Sequence, residues 1–545
     1  RLKADDPEGT GFNVYRLNSL GKAIKINRKP VIATTDFTDQ LPGKSTVATY
    51  FVRALVNGKE GKDSEKISVQ LSAEPKNYQS FAFRGNYKPQ RIAVADLNGD
   101  GAYDFIIKQP EQGIDPGGQP NTTGLTYKIE AYLNDGTFLW QKDLGPGIEP
   151  GIWYSPMVAW DFNGDGKAEL AVKTGPENAR EADGRVRSGP EWCSILNGMT
   201  GEEICKVDWP SRSWRFGDYN RNNRNQMGVA YLDGKTPFLL VARGTYKAMI
   251  VDAWQMEGNQ LKKAWRWDGD EENPVIRHQG AHNMHSADVD GDGRDEIVLG
   301  SVVLDDNGTA LWSTGYGHPD KCFVTDIDPQ RPGLEIFYAS EEWWDNGNGV
   351  CLVDAKTGET IWNIGRKTLH VGDGMVADIL PDIPGLECFA SEDPKGGSRD
   401  KYLLSAKGEL LMTGDSVPDC RNWIFWDADK VRENIVPAGR GNRASGSFSP
   451  GKLIIRKNNS AGDLKSPAEF SDQIEGTVIL MADIQGDWRE ELITLLPGEM
   501  RIYCTTIPAK DRRVCLMQDP FYRNQVAHRS MGYEQSPVLS YYLGE

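Results

Sequence analysis

Cysteine is sparse in this chain, 8 among 545 residues, which is too few for a disulfide scaffold. Cys193 and Cys205 flank one expected hairpin and Cys504 and Cys515 another, but spacing does not fix pairing. Long apolar runs are also missing. Hydrophobic residues make up 39% of the chain, and no stretch is long and apolar enough to span a bilayer as a helix. Positive charge is in deficit, with 62 Lys and Arg against 78 Asp and Glu, a net charge of −16. That balance argues against nucleic acid, which needs a basic footprint. A polyanionic ligand would have to be gripped by local Arg, Lys or metal, because the overall field repels it. The opening Arg1-Leu2-Lys3-Ala4-Asp5 is not a signal peptide, although a processed secreted protein can begin the same way.

What the chain has is acid arranged in loops. Asp96-Leu97-Asn98-Gly99-Asp100-Gly101-Ala102-Tyr103-Asp104, Asp161-Phe162-Asn163-Gly164-Asp165-Gly166-Lys167-Ala168-Glu169 and Asp288-Val289-Asp290-Gly291-Asp292-Gly293-Arg294-Asp295-Glu296 share one pattern. Oxygen-bearing side chains fall at loop positions one, three, five and nine, with glycine between them where a tight turn needs positive φ. Ca²⁺ wants six to eight oxygens, so the cofactor expected here is Ca²⁺. The last acid comes too early for an EF-hand, and an apolar strand follows rather than a helix. The expected ligands are Asp96, Asn98, Asp100 and Asp104; Asp161, Asn163, Asp165 and Glu169; Asp288, Asp290, Asp292 and Glu296; and, in a near-complete fourth copy, Asp483, Gln485, Asp487 and Glu491.

Degenerate copies begin at Asp326 and Asp378, and weaker ones at Asp233 and Asp427. The eight anchors lie 38 to 72 residues apart. Between them recur turns followed by a short aromatic strand, as in Asn134-Asp135-Gly136-Thr137-Phe138-Leu139-Trp140 and Lys356-Thr357-Gly358-Glu359-Thr360-Ile361-Trp362. Units of this size cannot bury their own apolar face and must pack on one another. The expected fold class is all-β, an eight-bladed β-propeller over 86–545, with seven blades as the fallback. Long gaps mark insertions near 176–190 and 208–226. Residues 1–85 lack a metal loop and alternate as strands, which suggests a small fibronectin-III-like β-sandwich ending near Glu74-Pro75-Lys76.

Three of only six histidines crowd Arg277-His278-Gln279-Gly280-Ala281-His282-Asn283-Met284-His285. His282, His318 and His370 each precede an anchor by six to eight residues. On inner strands of a propeller they would gather at one end of the central axis, and His285 is weighed with them. Zinc is the weaker reading, since the spacing lacks a helical i, i+4 pair and cysteine partners. Arg243-Gly244-Thr245-Tyr246-Lys247, the polar loop Arg215–Asn225 with Arg224, and Arg421 supply cations, and bidentate Arg suits a carboxylate. Trp343-Trp344, Trp153-Tyr154 and Trp423 are candidates for stacking on sugar rings, although propellers also bury Trp between blades.

These residues together resemble the rhamnogalacturonan lyase family of polysaccharide lyases. The likeness is carried by Trp153-Tyr154-Ser155-Pro156-Met157-Val158 and the Asp161 loop; by Val229-Ala230-Tyr231-Leu232-Asp233-Gly234, Arg243-Gly244 with Tyr246, and the His282 segment; and by Ser313–His318, Gly486-Asp487-Trp488-Arg489-Glu490-Glu491 and Thr505-Thr506-Ile507-Pro508. It runs in order over 86–545. It implies an eight-bladed propeller, bound calcium, a secreted, periplasmic or cell-surface location, and cleavage of the rhamnose-α-1,4-uronate bond. The chain departs from the family pattern at two places: Gly372-Asp373-Gly374 stands for Gly-Arg-Gly, and Glu475-Gly476-Thr477-Val478 for Asn-Gly-Thr-Lys. Loss of those carboxylate-holding cations points to rhamnose linked to glucuronate, as on arabinogalactan side chains and gum arabic. The alternatives are a rhamnogalacturonan I endolyase, a non-enzymatic glycan-binding propeller, and a glycoside hydrolase with paired carboxyls.

β-Elimination requires neutralising the C6 carboxylate, removing H5 and protonating the departing O4. The expected base and acid are His282 and His318, with Tyr246 as alternate acid and Arg243 in the catalytic set. Lys247, Arg421, His370 and Arg224 are expected to bind substrate. The expected partner is a plant cell-wall or arabinogalactan polysaccharide, acted on by a monomer.

Overall fold

The computed structural model describes residues 2–41, 46–71, 76–111, 124–273, 276–393, 395, 397–417, 422–437, 451–458, 468–531 and 535–544. Among these the chain is almost entirely β, in a propeller-like arrangement. Six four-stranded antiparallel sheets follow one another in chain order, and a seven-stranded sheet completes the set. In that last sheet the long strand Ala468–Ala482 pairs on one side with Gly451–Lys457 and on the other with Glu491–Leu496. Its outermost strand is Tyr78–Ala82, brought from the other end of the chain to lie antiparallel to Glu499–Tyr503.

All eight expected anchor loops join the first to the second strand of a unit. The position-nine carboxylate shows why these residues turn here: it folds back onto the start of its own loop. Glu296 accepts the Val289 N–H at 2.8 Å, Glu169 that of Phe162 at 3.0 Å and Asp104 that of Leu97 at 3.0 Å. The first-position Asp288 accepts the N–H groups of Gly291 and Gly293, both at positive φ. Each of these three loops is thus N–H-satisfied even before any cation binds.

Two weak anchors are corrected by these bonds. Glu433 accepts the N–H groups of Trp426 and Asp427 in the way Glu296 accepts those of Val289 and Asp290, so Asp427 holds loop position three and Phe425 holds position one. Lys457 places its ammonium among Asp427 (2.6 Å), Asp429 and Glu433 (3.3 Å), where a metal would sit. Asp233 caps Lys235 and Thr236 in a plain turn, and the acid facing Tyr231 N–H is Asp295 of the next loop.

Aromatic strands after the turns serve packing. The indoles of Trp140, Trp265, Trp312 and Trp362 lie over Gly201, Gly308, Gly358 and Gly408, turn glycines of the following unit, where a Cβ would clash. Each indole N–H donates to a backbone carbonyl of that unit, for example Trp362 to Ala406 at 2.8 Å. Alternate apolar residues of adjacent sheets fill the space between them and form a nearly continuous core.

The first strands of successive sheets lie against one another, Arg91–Ala95 against Met157–Trp160, then Asn225–Ala230, Gly280–Ala287, Pro319–Thr325 and Val371–Ala377, and Ala468–Ala482 returns to Arg91–Ala95. The first six are edge strands whose outer backbone groups face the axis. The helix Pro520–His528 and the segment after it occupy that axis. Asn524 donates to Val229 O, Ser530 to Met157 O, Arg529 to Ile479 O (3.1 Å) and Gln535 to Cys322 O (3.1 Å), while Leu539 O accepts from Thr325.

The N-terminal strands form one five-stranded sheet, Ala23–Lys25, Gly11–Leu17, Val47–Val56 and Lys59–Glu60, with Ile67–Gln70 also on Val47–Val56. Among the described residues there is no second layer to make the expected sandwich. Tyr78–Ala82, expected inside the N-terminal unit, belongs instead to the seven-stranded sheet. The expected linker at Glu74-Pro75 lies outside the described residues. The N-terminal unit rests on the Asp483 loop region through Thr35 to Asp487 O (2.9 Å) and Asp36 with Arg489 (3.3 Å). No disulfide joins any two of the described cysteines. Cys193 faces Val207 across its ladder and Cys205 faces Ile195, so register separates that pair.

His285 faces this central helix rather than the open end. Its Nδ1 lies 2.8 Å from the Gln525 amide nitrogen and its ring stacks on His528 at 6.5 Å. Burial pushes His285 down to about 4 and His528 down to about 3. A depressed folded value means the unfolded chain binds the proton first. His528 therefore contributes full stability above pH ~6.5 and loses it progressively as pH falls toward about 3, by roughly 1.4 kcal/mol per unit. His528→Gln should shrink the drop in unfolding free energy between pH 7.5 and pH 5 by about 2 kcal/mol, measured by urea denaturation at both values.

Candidate active site

The strands Gly280–Ala287, Pro319–Thr325 and Val371–Ala377 all start at the end of the ring opposite the acid loops. From His282 to Asp288 is roughly 20 Å of extended chain at about 3.3 Å per residue. The loops therefore staple one face while any chemistry at the histidines occurs on the other.

At the strand starts the imidazoles meet as expected. His282 Nε2 lies 3.2 Å from His318 Nε2 and 3.1 Å from the Tyr246 hydroxyl. Two carboxylates that sequence reasoning missed complete the cluster. Asp320 Oδ1 is 3.1 Å from His282 Nε2, and Glu341 Oε2 is 3.1 Å from His318 Nε2. Asp320 is two residues beyond His318, so a strand's period of two puts both on one face. Glu341 follows the neighbouring strand Glu335–Ser340, whose Ser340 pairs with Pro319. One ligand atom from each of His282, His318, Asp320 and Glu341 lies within 4.8 Å of every other, a quartet able to hold a metal ion. His370 joins through Glu341 Oε1 at 3.3 Å.

Charge within the quartet is unevenly shared. Burial pushes His282 down to about 3, against the pull of Asp320. Burial also opposes charge on His318, but Asp320 and Glu341 overcome it and lift His318 to about 9. Burial disfavours both carboxylates in their charged form, yet the imidazoles hold Asp320 and Glu341 well below the ordinary carboxylate range. Burial thus disfavours charge on His282, while the two carboxylates favour it on His318. Pairs of titratable groups pushed apart in this way mark functional sites.

Aromatic and guanidinium groups wall the cluster. Trp153 stacks on His282 at 5.2 Å. Arg224 lies over Trp153 at 4.8 Å, and Arg221 over Tyr246 at 3.7 Å. Arg221 comes from the short helix Tyr219–Asn222, capped by Asp218 inside the expected 208–226 insertion. The 176–190 insertion braces that helix, with Val186 N–H donating to the Tyr219 hydroxyl at 3.0 Å. Both insertions therefore shape the site. Lys247 is exposed on the same turn as Tyr246. Arg421 lies outside the described residues.

Arg243 is the main correction. It is fully buried beneath the site, where it pairs with Glu191 and donates to Pro210 O (2.6 Å) and Asn222 O. Glu191 also holds Lys173 at 2.5 Å and Arg212 at 2.7 Å. The side chain cannot face a substrate; it anchors the helix that carries Arg221. It was misread because an Arg at a strand end looks the same whether it points into a cleft or inward to an acid 52 residues earlier in the chain.

Among the described residues of the three full acid loops, only the third gathers its acids as a metal-binding group: Asp288, Asp290 and Glu296. Glu296 Oε1 is buried without a hydrogen bond, and burial with Asp290 and Asp288 nearby pushes this acid up to about 8. An oxygen-only set with an orphaned carboxylate atom fits a hard cation. In the Asp483 loop, Gln485 donates to Cys504 at 3.0 Å and Asp487 pairs with Arg489. Asp483 and Glu491 are both raised, by burial and by nearby carboxylates.

The chain matches two family models, rhamnogalacturonan lyase family 11, C-terminal domain, over 66–545, and rhamnogalacturonan I lyases beta-sheet domain over 1–70. It is 37% identical to the rhamnogalacturonan endolyase YesW of Bacillus subtilis, across 98% of this chain and 86% of that protein. It is 36% identical to the rhamnogalacturonan exolyase YesX of the same organism, across all of this chain and 92% of that protein. The crystal structure of YesX superposes with a TM-score of 0.86, covering 100% of this chain and 93% of that one at 33% identity.

The buried Glu191 carboxylate offsets three cations, so removing its charge leaves them uncompensated. Glu191→Gln should lower unfolding free energy by about 3–5 kcal/mol, read by urea denaturation, whereas pairs at the exposed rim should each matter by under about 1 kcal/mol.

Proposed function

The chain belongs to rhamnogalacturonan lyase family 11 and is therefore a polysaccharide lyase, a carbon–oxygen lyase; on that premise we propose that it cleaves the rhamnose-α-1,4-galacturonate bond of rhamnogalacturonan I by β-elimination at the His282 cluster. The observation carrying this reading is the convergence of His282, His318, Tyr246, Asp320 and Glu341 at one end of neighbouring inner strands. The seven-stranded sheet counts as two blades sharing Ala468–Ala482, giving eight blades, with the first 70 or so residues as a separate β unit. Asp104, Glu169, Glu296 and their loop partners are read as Ca²⁺ ligands that staple the far face.

The glucuronate expectation rested on Asp373 and Glu475, and it yields to the galacturonate reading for two reasons. Both curated relatives are named for rhamnogalacturonan. Glu475 is itself neutralised by Arg501 at 2.9 Å, so the local field is not inverted where the family cation is missing. The relatives include both an endolyase and an exolyase, and chain-length analysis of the products separates those modes.

Two buried imidazoles and two carboxylates fit a divalent cation, and such an ion would withdraw charge from the substrate C6 carboxylate so that H5 becomes acidic. The protein's own groups do the rest. Half-buried Arg221 brings positive charge to the same wall and can meet the carboxylate, with Arg224, expected to bind substrate, buried behind it against Trp153. Tyr246 is half-buried while the imidazoles are fully buried, so its hydroxyl is the proton carrier that reaches the sugar. As the phenolate it would take H5, whose electron pair becomes the C4=C5 double bond as O4 departs; His282 Nε2, 3.1 Å away, can take the hydroxyl's proton when the quartet holds no ion and would be a ligand when it does. In galacturonate O4 is anti to H5, so a second donor on the other face must protonate O4, and exposed Lys247 is the nearest in sequence.

A second reading keeps His282 as the base itself, favoured by burial that disfavours its charged form. Chelation with the fold followed by circular dichroism separates the two: under the first reading, dialysed enzyme that keeps its fold loses turnover until divalent ion is added, whereas under the second the still-folded dialysed enzyme stays active. Under either reading, His282→Ala and His318→Ala should each abolish the ultraviolet-absorbing unsaturated uronate released from rhamnogalacturonan I. Full activity in both variants would falsify the site assignment. Gum arabic digested in parallel should give no such product, and a strong signal there with none from rhamnogalacturonan would restore the glucuronate substrate.

A further inference from the structure

Four tryptophans dock over turn glycines of the next unit, and Trp153, Trp423, Trp426 and Trp488 are fully buried. Trp343 does the reverse. It is 64% exposed, although it lies only two residues from Glu341 of the metal-capable quartet. Its exposure does not come from a loose segment. On one side Glu341 N–H donates to His318 O at 3.2 Å, and the Glu341 side chain reaches both His318 and His370. On the other, Trp344 makes a two-way backbone pair with Thr368 (3.2 and 3.0 Å) and meets Tyr316 edge-on at 5.8 Å. Asp345 is tied to Lys367 at 2.7 Å, and Ser340 N–H donates to Gly349 O at 2.9 Å. A rigid turn thus presents a large apolar ring to solvent at the rim of the site.

We propose that Trp343 is a stacking platform for a neutral deoxyhexose ring, the rhamnose adjoining the uronate held at the quartet. The inference rests on the function proposed above. Two residues of chain span at most about 7 Å, on the order of one sugar residue, so Trp343 is within reach of the ring next to a uronate at Glu341. Rhamnose bears a methyl in place of a hydroxymethyl and turns a C–H face outward, which suits an indole. A platform whose backbone is already fixed spends little ordering entropy on binding. Because the indole touches the C–H face of a sugar whose own ring bonds do not change during elimination, it grips ground state and transition state alike, and its loss should appear in KM with kcat retained.

The test uses the full chain as wild type, Trp343→Ala and Trp343→Phe. On rhamnogalacturonan I, Trp343→Ala should raise KM about tenfold with kcat within about twofold, and Trp343→Phe should recover most of the loss. Gel retardation by immobilised rhamnogalacturonan I, which needs no turnover, should be weakened in the Ala variant and largely kept in the Phe variant. Equal retardation and equal KM in wild type and Trp343→Ala would overturn the platform. So would a fall in kcat at constant KM, which would make Trp343 a support for Glu341. A wild type that is not retarded at all also overturns it. Failure of the parent reading looks different: wild type yields no unsaturated product, whatever Trp343→Ala does on the gel.

Discussion

A ring of sheets leaves the first strand of each four-stranded unit as an edge, with N–H and C=O groups aimed at a central channel. Those groups must find partners. Here one segment from Asp519 onward serves them, running down the axis and bonding to Met157, Val229, Ile479 and Cys322 in turn. The site depends on that arrangement. With the axis filled by protein, the inner strands are held at fixed spacing, and their starts become a rigid rim. Imidazoles separated by 36 residues in the chain then stand 3.2 Å apart. His285 lies on the strand of His282 but serves the filled axis, which is why two histidines so close in sequence have different surroundings.

The architecture was legible in the sequence because its unit is marked by chemistry as well as by hydrophobic pattern. Acid–glycine loops announce the hinge between first and second strands, and all eight fall there in the structure. The markers fade where another group does the loop's work. At Glu433 an ammonium from Lys457 stands in the cation position, which freed Phe425 to occupy loop position one and hid the true frame. The meeting of His282, His318 and His370 was readable from their similar distances, six to eight residues, to the anchors. Asp320 and Glu341 were not, since two acids among 78 carry no signal until the fold selects them. Arg243 failed for the complementary reason: the residue type is right for binding carboxylates, and the carboxylate it binds is the protein's own Glu191.

Charge is partitioned by face. The acidic loops that account for much of the net −16 sit at one end of the inner strands, and the guanidinium groups of Arg221 and Arg224, with Lys247, sit at the other. An anionic chain approaching the histidine end meets a locally different field from the molecule's average, screened from the far acids over more than a Debye length. The buried Lys173–Glu191–Arg212–Arg243 group lies under that end as well and holds the helix of Arg221 in place.

The pairing of Tyr78–Ala82 with Glu499–Tyr503 bears on biogenesis. The strand that seals the ring's outer edge is made early and waits for a partner made almost last. During synthesis the nascent polypeptide therefore carries an open crescent with sticky margins, and assembly of this topology is bound to be slow. Holding such an intermediate soluble falls to chaperones, so yield in a heterologous host should respond to them more than to any change in the finished enzyme's thermal endurance.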